Sequence, residues 1–184
     1  MDDLRRAVFL DRDGTINIEK TYLYRPEDWE WIPGAREAIK RFNNAGYLVV
    51  VVLNQAGVAR GMYSEDDIFR LHAFVDRDLA LVGARIDAYY FCPHHPEYGA
   101  NRDCVCRKPK PGMLLQASDE LAIDLSRSYL VGDKLTDVCA GLAAGVKPFL
   151  VKTGYGASET ANAPQGTHVA EDLLSCEIPF GDAN

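Results

Sequence analysis

Five short apolar runs, each followed by a segment of different pattern, constrain the fold of this 184-residue chain most strongly. The runs are rich in Val, Leu and aromatic residues, and they cover residues 7–10, 47–53, 88–91, 129–131 and 149–151. Short strands that alternate with helices are typical of a parallel sheet covered by helices on both faces. The alternation therefore predicts an α/β protein with a three-layer Rossmann-like fold around a central parallel sheet.

The segments between the apolar runs carry helix signals. Helices are predicted over residues 34–45, from residue 64 to about residue 82, and over residues 112–121 and 134–144. Ser64 and Asp67 form a variant of the capping box at the start of the second helix. His72 lies off the apolar stripe of that helix, which predicts an exposed side chain. After Thr153, frequent Gly, Ala, Pro and Asn residues predict disorder near residues 157–165.

Composition limits the classes of protein to which the chain can belong. With 47% apolar residues, residues 1–184 are expected to form a single domain around one core. A net charge of −7 argues against a surface for polyanions, so no nucleic-acid partner is expected. Neither a signal pattern nor an apolar run of membrane-spanning length is visible, which predicts a cytoplasmic protein without a membrane partner. A monomer is expected.

Two carboxylates, Asp11 and Asp13, directly follow the first apolar run. Open α/β sheets bind ligands at the carboxyl ends of their strands, where one carboxylate can attack an electrophile while the other moves protons. Gly14 lets the backbone turn tightly beside them. Taken alone, the motif fits a solvated turn or part of a calcium loop as well as it fits a catalytic site.

Two later motifs favour the catalytic interpretation. Residues 107–112, Arg-Lys-Pro-Lys-Pro-Gly, supply cations ahead of a predicted helix. The apolar run that ends at Val131 is followed by Gly132 and Asp133, a second acidic strand end. A nucleophile, a cation and a second acidic strand end are what a magnesium-dependent phosphoryl-transfer site needs.

Through these motifs the chain resembles the haloacid dehalogenase superfamily of phosphatases over nearly its whole length. The matching segments are residues 11–17, 54–61, 92–96, 104–109 and 132–134. The resemblance implies that Asp11 is the nucleophile and forms an aspartyl-phosphate, that Asp13 is the general acid and base, and that Lys108 stabilises the transferring phosphoryl group. It assigns Mg²⁺ to the Asp11 carboxylate, the Asp13 backbone carbonyl and Asp133. Asp137, one helical turn beyond Asp133, either supports the magnesium ligands or is a favourable charge at the helix start.

The resemblance also implies a set of substrate contacts. They are Glu19, Lys20, Thr21, Tyr22, Leu53, Asn54, Gln55, Ala56, Arg107 and Lys134. One of these positions departs from the superfamily, which has Thr or Ser where this chain has Leu53, and Leu cannot donate a hydrogen bond to a phosphoryl group. The chain has no large insertion, so a minimal cap and a small phosphorylated sugar substrate are expected.

Cys92, His94, Cys104 and Cys106 provide three thiolates and one imidazole, the donor set of a closed structural zinc site. A disulfide between two of these cysteines is the alternative. A zinc-bound loop would hold Arg107 and Lys108, which directly follow Cys106. The expected metal ions are therefore Mg²⁺ and Zn²⁺.

The resemblance implies hydrolysis of one phosphate of a sugar bisphosphate. Two alternatives remain open at the level of sequence. A histidinol-phosphate phosphatase would share the catalytic and zinc motifs. A sugar-phosphate-binding protein with weak catalysis would explain Leu53.

Overall fold

Each of the five apolar runs forms a strand in the computed structural model, which describes residues 4–179. The strands are β1 (Ala7–Leu10), β2 (Leu48–Asn54), β3 (Ala88–Cys92), β4 (Tyr129–Gly132) and β5 (Lys147–Val151). A further strand, β6 (His168–Ala170), was not predicted, because three residues without an apolar run carry no strand signal. It pairs with β5 at the edge of the sheet.

All the strand pairs within residues 4–179 are parallel, in the order β3-β2-β1-β4-β5-β6. Phe9 in β1 lies opposite Val50 on one side and Leu130 on the other. The chain runs outward from β1 to β3 and then returns to β4 on the opposite side of β1. This reversal leaves a crevice at the carboxyl ends of β1 and β4, where sheets of this type bind ligands.

Helices cover both faces of the sheet. They are α1 (Ala35–Asn44), α2 (Ala56–Ala59), α3 (Glu65–Leu81), α4 (Gly112–Leu121), α5 (Leu135–Ala144) and α6 (Gly156–Glu159). One apolar core contains residues of α1 and α3, and the other contains residues of α4 and α5. The predicted three-layer α/β architecture is thus confirmed. No helix within residues 4–179 has both the length and the apolar character needed to cross a bilayer.

Local sequence signals set the ends of several helices. The Ser64 side chain accepts a hydrogen bond from the Asp67 backbone at 3.3 Å, and the Asp67 carboxylate accepts one from the Ser64 backbone at 2.8 Å. The predicted capping box at the start of α3 is therefore confirmed. The predicted disorder near residues 157–165 is wrong, because α6 is followed there by a 3₁₀ turn, Thr160–Asn162. The Glu159 carboxylate also accepts a hydrogen bond from the Leu135 backbone at the start of α5.

His72 is buried, and the prediction of an exposed side chain is wrong. Only 5% of the residue is accessible, and its ring stacks on Tyr89 with 4.0 Å between ring centroids. The hydroxyl of this same Tyr89 donates a hydrogen bond to the Asp76 carboxylate, so Asp76 contacts Tyr89 through this bond. Burial, helped by the positive charge of Arg12, lowers the pKa of His72 to about 3. The neutral imidazole is therefore the form that the fold stabilises.

We expect this buried imidazole to make stability depend on pH. The folded-state pKa lies below the ordinary value of 6.5, so the stabilisation is complete above pH 6.5 and is lost as pH falls towards 3. Between pH 7 and pH 5, His72 alone should lower the free energy of unfolding by about 2 kcal/mol. Urea unfolding at both pH values should show a drop smaller by about that amount in His72→Phe. An unchanged drop in that variant would assign the pH dependence to other groups.

Candidate active site

A cavity of about 490 Å³ opens at the carboxyl ends of the central strands. The residues that line it come from the β1 and β2 ends, from the segment before α4, and from the start of α5 and the loop after β5. They are Asp11, Asp13, Glu19, Thr21, Tyr22, Asn54, Gln55, Ala56, Tyr63, Arg107, Lys108, Pro109, Lys134, Thr136, Asp137 and Tyr155. The topology thus gathers both acidic strand ends and the cationic segment around one cavity.

Asp11 lies at the floor of this cavity, directly after β1. Its backbone donates a hydrogen bond to the Val131 carbonyl at 2.9 Å, which extends the pairing of β1 with β4 by one residue. Its carboxylate Oδ1 accepts a hydrogen bond from Lys108 Nζ at 2.8 Å. The residue is 7% exposed and lines the cavity. The side chain is therefore fixed by its strand and by a cation, yet remains accessible to a ligand.

Lys108 contacts Asp11 at the floor of the cavity, and several other groups hold its side chain. Its Nζ lies 2.6 Å from Asp137 Oδ1 and donates a hydrogen bond to the Val52 carbonyl at 2.7 Å. Burial by itself would lower the pKa of Lys108, but the charges of Asp11 and Asp137 outweigh burial and raise it. The Asn54 side chain pairs with the Lys108 backbone through two hydrogen bonds of 3.1 Å. The ammonium form of Lys108 is thus favoured, and several contacts fix its position.

Asp13 lies beside Asp11 and accepts hydrogen bonds from three side chains. Arg12 Nη2 donates at 3.0 Å, Asn17 Nδ2 donates to Oδ1 at 3.0 Å, and Gln55 Nε2 donates to Oδ2 at 3.5 Å. Arg12 is 1% exposed and also binds the Leu23 carbonyl at 2.9 Å. These donors set the orientation of the Asp13 carboxylate at the cavity wall.

Asp11, Asp133 and Asp137 form a buried acidic cluster in which one carboxylate oxygen of each residue lies within 4.8 Å of the other two. Asp133 Oδ1 has no hydrogen-bond partner among the described residues, and Oδ2 accepts one from the Tyr155 backbone at 2.9 Å. Burial and then the charge of Asp11 raise the pKa of Asp133 to about 8. An unpartnered buried oxygen in an all-oxygen cluster is suited to a divalent cation such as Mg²⁺.

Gly14 makes this close approach possible. Its φ of +85° is a conformation that other residues rarely adopt, and an added Cβ would lie 2.2 Å from Asp133 Oδ2. The Gly14 carbonyl accepts a hydrogen bond from Thr153 Oγ1 at 2.6 Å, which ties the loop after β5 to the loop after β1. Glycine is therefore required where these two loops meet.

The Cys and His cluster lies beside the cavity. Cys92 Sγ lies 3.5 Å from Cys104 Sγ and 3.0 Å from Cys106 Sγ, and Cys106 Sγ lies 3.4 Å from His94 Nδ1. All five cysteines fall within the described part of the chain and are free thiols, so the disulfide alternative is not supported. In a tetrahedral zinc site the four ligand atoms lie within about 4 Å of one another, so the spacing and the chemistry of these four side chains fit zinc. Arg107 donates a hydrogen bond to the His94 carbonyl at 3.1 Å, which links the cluster to the cavity wall.

We expect the purified protein to contain about one zinc ion per chain, because binding to these four donors would order the irregular segment between β3 and α4. Elemental analysis of protein purified without added metal measures the content. Cys104→Ser should reduce it to nearly none. Cys139, which is exposed and outside the cluster, supplies the matched control Cys139→Ser with an unchanged content. A parent protein without any tightly held transition metal would contradict this prediction.

Most of the predicted substrate contacts line the cavity: Glu19, Thr21, Tyr22, Asn54, Gln55, Ala56, Arg107 and Lys134. Lys134 Nζ lies 3.4 Å from Glu19 Oε2 and 4.6 Å from the centre of the Tyr155 ring. Burial alone would lower the pKa of Lys134, but the charges of Asp133 and Asp11 raise it. Lys134 and Arg107 therefore place positive charge in the cavity wall.

Two predicted substrate contacts, Lys20 and Leu53, are not among the residues that line the cavity. Lys20 Nζ donates a hydrogen bond to the Asp28 carbonyl at 2.8 Å and pairs with Glu30 at 3.1 Å, so its side chain does not line the cavity. Leu53 is 1% exposed and belongs to the core that also contains Val49 and Val51. Since side chains alternate along a strand, Leu53 shares the face of those two residues. A phosphoryl contact at this position would have to come from the backbone.

Some residues that line the cavity were not predicted from the sequence. Tyr63, Thr136 and Tyr155 carry no charge pattern or metal-ligand spacing that distinguishes them from surface residues. Asp137 was noted for its spacing from Asp133, but its ion pair with Lys108 depends on two distant segments. These residues can be identified only from the folded structure, because their contacts join segments that are distant in the sequence.

Known proteins match this chain in sequence and in fold. A family described as HAD-hydrolase-like matches residues 105–176. The D-glycero-beta-D-manno-heptose-1,7-bisphosphate 7-phosphatase of Pasteurella multocida is 45% identical over 173 residues, which cover 92% of this chain and 94% of that protein. The Escherichia coli K12 protein of the same name is 45% identical over 152 residues, 80% of each chain.

A solved structure of a similarly named protein also matches this chain. The D,D-heptose 1,7-bisphosphate phosphatase from B. bronchiseptica, complexed with magnesium and phosphate, has a TM-score of 0.85 and 37% sequence identity to this chain. The alignment covers 92% of this chain and 94% of that one.

Proposed function

The chain belongs to the family of D-glycero-beta-D-manno-heptose-1,7-bisphosphate 7-phosphatases, and we propose on this premise that it hydrolyses the C7 phosphate of that heptose bisphosphate. The observation that carries the proposal is the buried arrangement of Asp11, Lys108 and Asp133 at the floor of the cavity. It supplies a nucleophile, a fixed cation and a cluster of oxygen donors. Phosphate monoester hydrolysis needs these three elements.

In the first step, an Asp11 carboxylate oxygen attacks the phosphorus atom at C7. The bond between phosphorus and the sugar oxygen breaks, and Asp13 gives its proton to that oxygen. The products are the heptose 1-phosphate and an aspartyl-phosphate at Asp11. Lys108, 2.8 Å from Asp11 Oδ1, stabilises the negative charge that shifts among the phosphoryl oxygens.

In the second step, Asp13 acts as a base. It takes a proton from a water molecule, whose oxygen attacks the phosphorus atom of the aspartyl-phosphate. The bond between phosphorus and the Asp11 oxygen breaks, so inorganic phosphate leaves and the Asp11 carboxylate is restored. Asp13 carries the proton that the next cycle requires.

The residues present fit one Mg²⁺ ion, which the Asp11 carboxylate, the Asp13 backbone carbonyl and Asp133 would hold. When bound, the ion would neutralise charge on the phosphoryl oxygens. Asp137 holds the Lys108 ammonium at 2.6 Å, so its role is to position that cation. The Asp137 carboxylate also accepts a hydrogen bond from the Lys134 backbone at 3.1 Å at the start of α5, so the two roles predicted from the sequence stay predictions beside this one.

The cavity wall supports a bisphosphate substrate. Arg107 and Lys134 line the cavity in addition to Lys108, which is already committed to Asp11 and Asp137. A second phosphate adds negative charge that these two cations can bind. Glu19 and Tyr22 line the same wall and supply polar groups for sugar hydroxyls.

Comparative kinetics with inorganic phosphate release as the readout test this proposal. With Mg²⁺, the kcat/KM for the β anomer of the heptose bisphosphate should exceed that for the α anomer by about tenfold and that for histidinol phosphate by about 100-fold. Removal of Mg²⁺ with a chelator should abolish turnover. Faster hydrolysis of histidinol phosphate would support that alternative activity. Binding of the bisphosphate without turnover would show a sugar-phosphate-binding protein.

A further inference from the structure

Tyr63 is joined to Asp13 through Gln55. The Tyr63 hydroxyl donates a hydrogen bond to Gln55 Oε1 at 2.5 Å, and Gln55 Nε2 donates to Asp13 Oδ2 at 3.5 Å. Tyr63 is 8% exposed and Gln55 is 2% exposed, and both line the cavity. The phenol thus begins a chain of two hydrogen bonds that ends on the carboxylate next to Asp11.

The phenol determines which way the Gln55 amide faces. A glutamine amide has an accepting oxygen on one side and a donating nitrogen on the other. When its oxygen is taken by the Tyr63 hydroxyl, its nitrogen is directed at Asp13 Oδ2. Burial raises the pKa of Tyr63 to about 12, so the hydroxyl keeps the proton that it donates.

The Tyr63 ring is itself held in place. It stacks on the Tyr24 ring with 5.0 Å between centroids and 17° between planes. On another side it packs against Gly57, where an added Cβ would lie 2.1 Å from Tyr63 Cε1. The ring therefore has little freedom to turn its hydroxyl away from Gln55.

We propose that Tyr63 is a positioning residue for proton transfer, which acts through Gln55 to orient Asp13 Oδ2. Asp13 Oδ1 accepts hydrogen bonds from Arg12 and Asn17, whereas Oδ2 accepts hydrogen bonds from Arg12 and Gln55. Gln55 Nε2, at 3.5 Å, is thus a second donor to Oδ2 beside Arg12 Nη2 at 3.0 Å, and Oδ2 is the oxygen to which we assign the proton exchange. This inference rests on the proposed function, in which Asp13 protonates the leaving sugar oxygen.

The variant Tyr63→Phe removes the hydroxyl and keeps the ring that fills the space between Tyr24 and Gly57. Its kcat/KM for the heptose bisphosphate should fall by about tenfold, mainly through kcat, because general acid catalysis contributes about 100-fold to 10,000-fold and would be only partly lost. The KM should change by less than about twofold, because the phosphate-binding cations stay in place.

A change of leaving group separates a proton-transfer role from a merely structural one. The kcat/KM reports steps up to the departure of the leaving group, and 4-nitrophenolate departs without needing a proton. With 4-nitrophenyl phosphate, Tyr63→Phe should therefore retain the parent kcat/KM within about twofold. Equal losses with both substrates would mean that the hydroxyl supports the fold of the site, and the proposal would be wrong.

A double-mutant cycle tests the route through Gln55. Once Gln55→Ala has removed the amide, the added change Tyr63→Phe should have no further effect on kcat/KM for the bisphosphate. Additive losses would show that Tyr63 acts independently of Gln55. The matched control is Tyr24→Phe, which removes a hydroxyl from the stacked ring whose oxygen binds Arg25 instead, and it should keep the parent activity.

Failure of this inference is distinguishable from failure of the proposed function. The cycle needs only an alkyl phosphate monoester that the parent protein hydrolyses. If the heptose bisphosphate is not a substrate but another sugar phosphate is, the proposed substrate is wrong and the Tyr63 comparison proceeds with that ester. If Tyr63→Phe hydrolyses an alkyl phosphate as fast as the parent protein does, the inference about Tyr63 is wrong, whereas the proposed function is unaffected.

Discussion

Replacement of Asp11 by Asn is expected to lower the kcat for the heptose bisphosphate by at least about 1,000-fold. The amide keeps the size of the carboxylate, but its oxygen is a poor nucleophile and cannot form the aspartyl-phosphate. It also removes one of the charges that hold Lys108, whose remaining partners are Asp137 and the Val52 carbonyl. Phosphate release under saturating substrate measures the effect.

The fold of Asp11→Asn should be retained, because the substitution removes one negative charge from a cluster of three buried carboxylates and leaves Lys108 paired with Asp137. Thermal unfolding of the variant checks this point. Asp66→Asn, in the exposed first turn of α3, is the matched control and should keep the parent kcat. Near-parental turnover by a folded Asp11→Asn would eliminate Asp11 as the nucleophile.

Replacement of Lys108 by Met is expected to reduce both catalysis and stability. Lys108 is 3% exposed, and its ammonium group compensates the charges of Asp11 and Asp137, which would be left buried without their partner. Breaking a buried ion pair from one side typically costs about 3 to 5 kcal/mol, and we expect the free energy of unfolding at neutral pH without added Mg²⁺ to fall by about that amount. The kcat should fall by at least about 100-fold, since the transferring phosphoryl group loses its fixed cation.

Lys110→Met provides the comparison for this variant. Lys110 also pairs with an aspartate, Asp103, at 2.7 Å and donates a hydrogen bond to the Cys104 carbonyl at 2.8 Å, but its side chain is half exposed and that of Asp103 is almost fully exposed. Such pairs contribute less than about 1 kcal/mol, so the control should be close to the parent in urea unfolding and in kcat. Similar losses for Lys108→Met and Lys110→Met would contradict the assignment of Lys108 to the floor of the active site.

The sequence by itself determined the strands and the segments that carry the chemistry. Continuous apolar runs of three to seven residues have few places other than the interior of a covered parallel sheet, and β1 to β5 follow them closely. Asp11 directly follows one such run and Asp133 lies one residue beyond another, so their meeting at one edge of the sheet followed from topology rules alone. The four zinc donors are likewise close enough along the chain for their spacing to be informative.

The tertiary structure decided how the side chains pair and which way they point. Lys108 and Asp11 are separated by 97 positions, and no local pattern determines that Lys108 also meets Asp137. Helical periodicity placed His72 outside the apolar stripe, but packing of α3 against β3 buried it on Tyr89. Leu53 aligned with a substrate contact, yet the alternation of β2 directs its side chain into the core.

The same distinction applies to Tyr63 and β6. A tyrosine hydroxyl gives no periodic or charge signal, so its hydrogen bond to Gln55 is visible only when α2 and the segment after it fold back on β2. Strand β6 forms because β5 offers it an unpaired edge, although His168 and Val169 are exposed and Ala170 is only partly buried. Apolar pattern and spacing are properties of short stretches of chain, whereas the direction of a side chain and the identity of its partner depend on residues that only the folded chain brings together.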